Sequence, residues 1–168
     1  MAVEFHDYSI EVKAELEDAV TAYLHEAAGE LHGQTVRNSR QNNWNYGDIK
    51  ATALWEFEVD EGEKMAQVGS PHEAGYWEEF GTGEHAANGD GRKGWWVYVE
   101  GGGEEPRRSQ KYYTKEEALQ LMAMLKSDGL DAHITDGHEP NRPLERAFTE
   151  KKSALKRRAE EVLKGRMG

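Results

Sequence analysis

Tyr76-Trp77-Glu78-Glu79-Phe80-Gly81-Thr82-Gly83 is the stretch on which the reading of this chain turns. Tyr76 and Phe80, four residues apart, share one face of a helical turn. The glycines that follow can adopt the left-handed conformation that ends a helix. The stretch therefore predicts a short aromatic helix, stopped abruptly, that throws the chain into a glycine-rich loop, Gly81 to Gly94. Tyr76, Trp77, Phe80, Gly81, Thr82 and Gly83 read as a pivot. The two rings anchor in the core while an arm beyond Gly83 reaches outward.

Upstream, Leu16, Ala19, Val20, Tyr23, Leu24, Ala27, Ala28 and Leu31 follow helical spacing and predict a long amphipathic helix from Ser9 to about Arg37. Asp7 or Ser9 can cap its start, and Gly29 and Gly33 weaken its far end. A polar, Asn-rich loop with Trp44 and Tyr46 follows. Ile49, Ala51, Ala53, Trp55, Phe57 and Val59 alternate with polar residues, Leu54 excepted, and predict a strand from Ile49 to Asp60. Glu61 to Lys64 supplies a turn and Met65 to Gly69 returns, forming a β-hairpin. Ser70-Pro71 then breaks the sheet before the aromatic helix.

Downstream, Trp95 to Val99 is strongly β-prone and ends at Gly101-Gly102-Gly103 and Pro106. Thr114-Lys115-Glu116-Glu117 is a capping-box pattern opening a helix with Ala118, Leu119, Met122 and Leu125 inward. Gly129 closes that helix, and Leu130, Ala132 and Ile134 alternate as a strand. Residues 112–135 thus form a strand-helix-strand unit, an inserted subdomain within one domain spanning 1–168. Pro140, Asn141, Pro143 and Leu144 mark the start of the last helix, with Asn141 as its cap and Pro143 in the tolerated first turn. Leu144, Ala147, Phe148, Leu155, Ala159, Val162 and Leu163 make its apolar stripe. The fold class is α+β: long N- and C-terminal helices packed on a small antiparallel β-sheet, with the inserted unit.

The 168 residues contain no cysteine, which excludes disulfides and thiolate metal sites. No apolar run approaches a membrane span, and no secretory signal pattern opens the chain. The net charge is −11, unevenly spread. Residues 142–168 hold nine Lys or Arg against four Glu, while the remainder is strongly acidic. That division disfavours broad nucleic-acid binding and favours head-to-tail contact between like subunits. The bland alternative is a solvated acidic surface beside a solvated basic helix face.

The chemistry-bearing residue types form no recognisable set. The seven histidines fall at no zinc-ligand spacing. Asn88 to Arg92 has the flavour of a calcium loop but lacks its twelfth-position glutamate, where Val99 stands. Glu78, Glu79 and His85 suggest at most a remote hydrolase, since adjacent helical glutamates diverge. No nucleophile elbow, Walker loop or dinucleotide fingerprint is present. Trp95-Trp96 beside Arg92 and Lys93 could stack bases, against an acidic body. The expectation is no catalytic residue, no metal and no cofactor.

Read in order, five stretches resemble the head–tail joining or tail-completion proteins of long-tailed bacteriophages. They are the N-terminal helix with the strand Ile49 to Val59; Ala66 to Ser70 leading into Tyr76 to Gly83; Asn88 to Gly94; Trp95 to Tyr98; and Pro140-Asn141-Arg142-Pro143-Leu144-Glu145-Arg146-Ala147-Phe148. The resemblance spans most of the chain. It departs at Tyr112 to Thr135, longer than that family's connection, and at Asn141-Arg142, where the family often has an aromatic. It implies a non-enzymatic virion protein of the neck that assembles in the host cytoplasm. The protein would form a homo-oligomeric ring, a hexamer, at the head-proximal end of the tail. Its neighbours would be the tail-tube protein and the head connector or stopper, with DNA passing through the lumen without specific binding and no membrane involved. Glu84, His85, Asp90, Arg92, Lys93, Trp95, Trp96 and Tyr98 are the expected subunit or partner contacts. The competing reading is a monomeric protein- or peptide-binding module using 112–135.

Overall fold

The fold is given by a computed structural model describing residues 9–40, 49–100, 107–108 and 113–167. Asp7, Trp44, Tyr46, Gly101 to Gly103, Pro106 and Tyr112, to which the sequence gives roles, lie outside the described residues. The architecture is α+β, with long first and last helices and small antiparallel sheets. The chain divides into two compact units: Met1–Gly75 with Pro143–Gly168, and Tyr76–Arg142.

In the first unit, helix α1 (Ser9–Arg40) packs against the last helix, α5 (Pro143–Met167), and against a hairpin of β1 (Glu56–Asp60) and β2 (Met65–Gly69). α1 runs unbroken through Gly29 and Gly33 and beyond Arg37 because its last polar residues are buried with partners. Thr35 Oγ1 donates to Leu31 O at 2.9 Å, Asn38 Nδ2 to Pro143 O at 3.1 Å, and Ser39 Oγ accepts Trp55 Nε1–H at 2.7 Å. Satisfied in this way, they extend the helix rather than compete with it.

The strand expected from Ile49 is corrected to a one-turn helix, α2 (Ala51–Leu54), followed by β1. Leu54 and Trp55 are consecutive and both buried, packing with Val36. A strand sends neighbouring residues to opposite faces, so it cannot bury both in one cluster. The exception at Leu54 was the informative residue. The hairpin itself is present as expected, with Phe57 opposite Val68 and Val59 opposite Ala66. Its turn is tied by Asp60 Oδ1, which accepts Gly62 N–H and Glu63 N–H, both at 2.9 Å.

Helix α3 (Glu73–Phe80) ends as expected, with Gly81 at φ +73° and Gly83 at φ +64°. In the second unit, β4 (Trp96–Glu100) is the central strand between β5 (Arg107–Arg108) and β6 (Asp131–Thr135). Helix α4 (Lys115–Ser127) packs on β4 and β6 and carries the anticipated capping box, formed by Thr114 and Glu117. Its inward stripe is Ala118, Leu121, Met122 and Leu125; Leu119, expected inside, is exposed. Within 113–135, β6 pairs along β4, Val97 opposite Ile134 and Val99 opposite Ala132. The compact body is the wider Tyr76–Arg142 unit.

Candidate functional site

Two stretches more than fifty residues apart, 76–83 and 136–142, are bracketed together in the second unit. Strand β3 (Thr82–Gly83) pairs antiparallel with β7 (Gly137–His138). The approach is too close for side chains at either crossing point. A Cβ on Gly83 would lie 1.8 Å from Asp136 O, and one on Gly137 would lie 2.0 Å from Thr82 O. Only glycine fits at both.

The bracket also satisfies the carbonyls that helix α3 leaves open at its C-terminus. Glu78 O accepts Asn141 N–H at 3.0 Å and Arg142 N–H at 3.3 Å, and Trp77 O accepts Gly81 N–H at 2.7 Å. His138 Nε2 lies 2.9 Å from the same Trp77 carbonyl, so it carries the proton and donates. His138 Nδ1 then accepts the Thr82 hydroxyl at 2.8 Å, while Thr82 Oγ1 accepts His138 N–H at 3.2 Å. Burial, followed by the neighbouring charge of His85, pulls the His138 pKa down, with the Trp77 hydrogen bond opposing. His138 is a neutral, doubly engaged strut.

Asn141 reaches back to α3. Arg142, at φ +52°, precedes Pro143, and the Asn141 amide donates to Glu78 Oε1 at 2.5 Å. Glu78 and Glu79 are buried on the inner side of α3. Tyr76 and Phe80, expected to anchor the core, face outward instead, 48 % and 36 % exposed, with ring centroids 4.8 Å apart. Glu78 is buried where Asn141 of the bracket supplies it a donor, whereas the tilted Tyr76 and Phe80 rings shield part of each other from water.

The expected arm is also corrected. Residues 84–94 fold back: Glu84 N–H bonds Asp136 O at 2.9 Å, Ala87 N–H bonds Phe80 O at 2.8 Å, and Glu84 Oε1 accepts Gly94 N–H at 2.9 Å. His85 sits between two carboxylates, with Nδ1 2.9 Å from Glu139 Oε1 and Nε2 3.7 Å from Asp136 Oδ1. Asp90 and Lys93 are exposed. Trp96 is buried under the Arg92 guanidinium at 5.0 Å, Lys115 lies 4.9 Å over Trp95, and Tyr98 stacks on His133 at 5.3 Å. Each of these aromatics thus has a partner on its ring within the unit. Of the eight expected contact residues, Glu84, Asp90 and Lys93 present exposed side chains.

Asp136, Gly137, His138 and Glu139, to which the sequence analysis assigns no role, supply half of the bracket. The Asp-Gly pair between a strand and a proline step was the available signal. Among the described residues, no group of three or more His, Asp or Glu could hold a metal ion. None of the described helices is long and apolar enough to cross a membrane. No protein-family model, no curated protein and no solved structure matches the chain.

Proposed function

We propose that this protein is a non-enzymatic subunit of a long-tailed bacteriophage neck. Copies form a ring, a hexamer, at the head-proximal end of the tail, completing it and joining it to the head connector. The observation that carries the reading is the bracket. The aromatic-glycine stretch and the proline step, which carry much of the resemblance, meet through β3–β7 and through Glu78 O. Their distinctive residues are spent on backbone closure and strut hydrogen bonds, as suits a rigid building block. The exposed Tyr76–Phe80 pair adds an apolar surface beside the bracket, of the kind protein contacts cover.

Native mass spectrometry of the purified full chain, with electron microscopy of the same sample, tests this. A discrete, annular oligomer that binds the end of a purified tail tube is expected. A monomer across the accessible concentration range, or an oligomer that does not engage tail tubes, overturns it.

A further inference from the structure

We infer that α5 of one copy docks on the outer face of the β1–β2 hairpin of a second copy. Two uncovered faces of the first unit complement each other in charge, apolarity and spacing. On the hairpin, His32 of α1 lies against Phe57 with ring centroids 5.6 Å apart, so the Phe57 side of β1 faces α1. By strand alternation Glu56, Glu58 and Asp60 point the other way, joined across the ladder by Gln67 and Met65, the last 45 % exposed. From Glu56 to Glu63 the hairpin holds five carboxylates and no cation.

On α5, the two central turns, Lys151 to Arg158, hold five cations and no carboxylate. Lys151 pairs with Glu30 at 3.0 Å, and Arg158 pairs with Glu26 and Glu30, which fixes the side facing α1. Phe148, Lys152, Lys156, Ala159 and Leu163 form a separate stripe, turned about 110° from that side at 100° per residue. Phe148 is 49 % and Leu163 41 % exposed, and the Lys152 ammonium lies 5.6 Å from the Phe148 ring centroid. The stripe is an uncovered apolar-basic face.

The spacings are commensurate. Lys152 and Lys156, one helical turn apart, are about 6 Å apart along the axis, while Glu56 and Glu58 are about 7 Å apart along the strand. Two lysines can therefore meet two carboxylates while Phe148 or Leu163 approaches the Met65 side chain.

The hairpin and α5 also lie on different sides of α1. Thr21, His25 and His32 of α1 touch the hairpin segment through Lys64 Nζ, Glu61 Oε1 and Trp55 O. Tyr23, Glu26 and Glu30 touch α5, Tyr23 through its hydroxyl to Leu155 O at 2.7 Å. The two sets are about 150° apart around α1. A contact between two such non-equivalent faces is head-to-tail, and repeats to close a ring where its rotation allows. This inference rests on the ring reading above and names the surface through which the ring is built.

The test reverses charge on each face of the full chain. Lys152→Glu with Lys156→Glu makes both faces acidic, and Glu56→Lys with Glu58→Lys makes both basic; circular dichroism checks that each keeps its helix content. Each double variant is expected to self-associate at least about tenfold more weakly than the parent protein, as exposed like charges replace attractive pairs. The chain carrying all four substitutions has both faces inverted and is expected to recover the parent oligomer. Raising salt should weaken parental assembly. If the double variants assemble as the parent does, or the fourfold variant fails to recover, this interface is overturned while the ring reading stands. A monomeric parent overturns both.

Discussion

Gly83 and Gly137 face each other across the β3–β7 crossing, each meeting backbone where a Cβ would sit. Gly83→Ala should therefore destabilise the fold by about 3 kcal/mol or more, combining left-handed strain with overpacking against an immobile carbonyl. Gly89 has a similar φ, +71°, but open space around its Cβ position, so Gly89→Ala should cost only about 1 kcal/mol. Urea midpoints for the two variants separate crowding from conformation; equal midpoints would refute the close approach. His138 gives the bracket a pH dependence. Its folded pKa lies below the ordinary value because burial penalises the cation, so the unfolded chain binds that proton more readily. This contribution is fully present above the unfolded value of about 6.5 and is lost as pH falls through it toward the folded value. His138→Asn should flatten that part of a urea-midpoint profile taken from about pH 5 to about pH 8. A profile as steep as the parent's would place the titration elsewhere.

At the scale of elements, the most legible was α4. Thr114 Oγ1 accepts Glu117 N–H at 3.3 Å, and the Glu117 carboxylate accepts Thr114 N–H at 2.9 Å, as the four-residue pattern implies. Thr114→Ala should cost about 1 kcal/mol and raise amide exchange in the first turn of α4 while leaving α1 and α5 unchanged. The hairpin and the glycine stop of α3 were equally readable, because each depends on residues within four or five positions. α2 and the inward side of α3 were not. Alternation placed Ala51 and Ala53 in a strand, yet burying Leu54 against Val36 and Ala74 outweighed it. Likewise, Tyr76 and Phe80 look like anchors by hydrophobicity, but the donor that lets Glu78 be buried comes from Asn141, 63 residues away.

For the molecule as a whole, the first unit centres on Val36, Leu54 and Trp55 and the second on Val97, Ala118 and Ala132. Leu54→Ala should cost about 2–5 kcal/mol and reduce amide protection in α1, α5 and the hairpin. Val97→Ala should act on β4, β6 and α4. Hydrogen exchange followed by mass spectrometry reads both, and loss of protection spread evenly over the whole chain in either variant would contradict the two-core division. The division was hidden in the sequence because the first unit is discontinuous: its last helix returns after the second unit is complete. Periodicity identifies elements, not which core each joins.

By itself the sequence determined the α+β class, the two long helices, the hairpin, the capped helix α4 and the glycine stop after Phe80. All of these follow from local spacing, capping and φ preference. Tertiary structure alone decided which faces are buried, since burial depends on partners distant in the chain. It turned Tyr76 and Phe80 outward, drew Glu78 in through Asn141, and folded residues 84–94 back onto Asp136. It also left the stripe of Phe148, Lys152, Lys156 and Leu163 uncovered, because α1 takes the Lys151 and Arg158 side of the same helix.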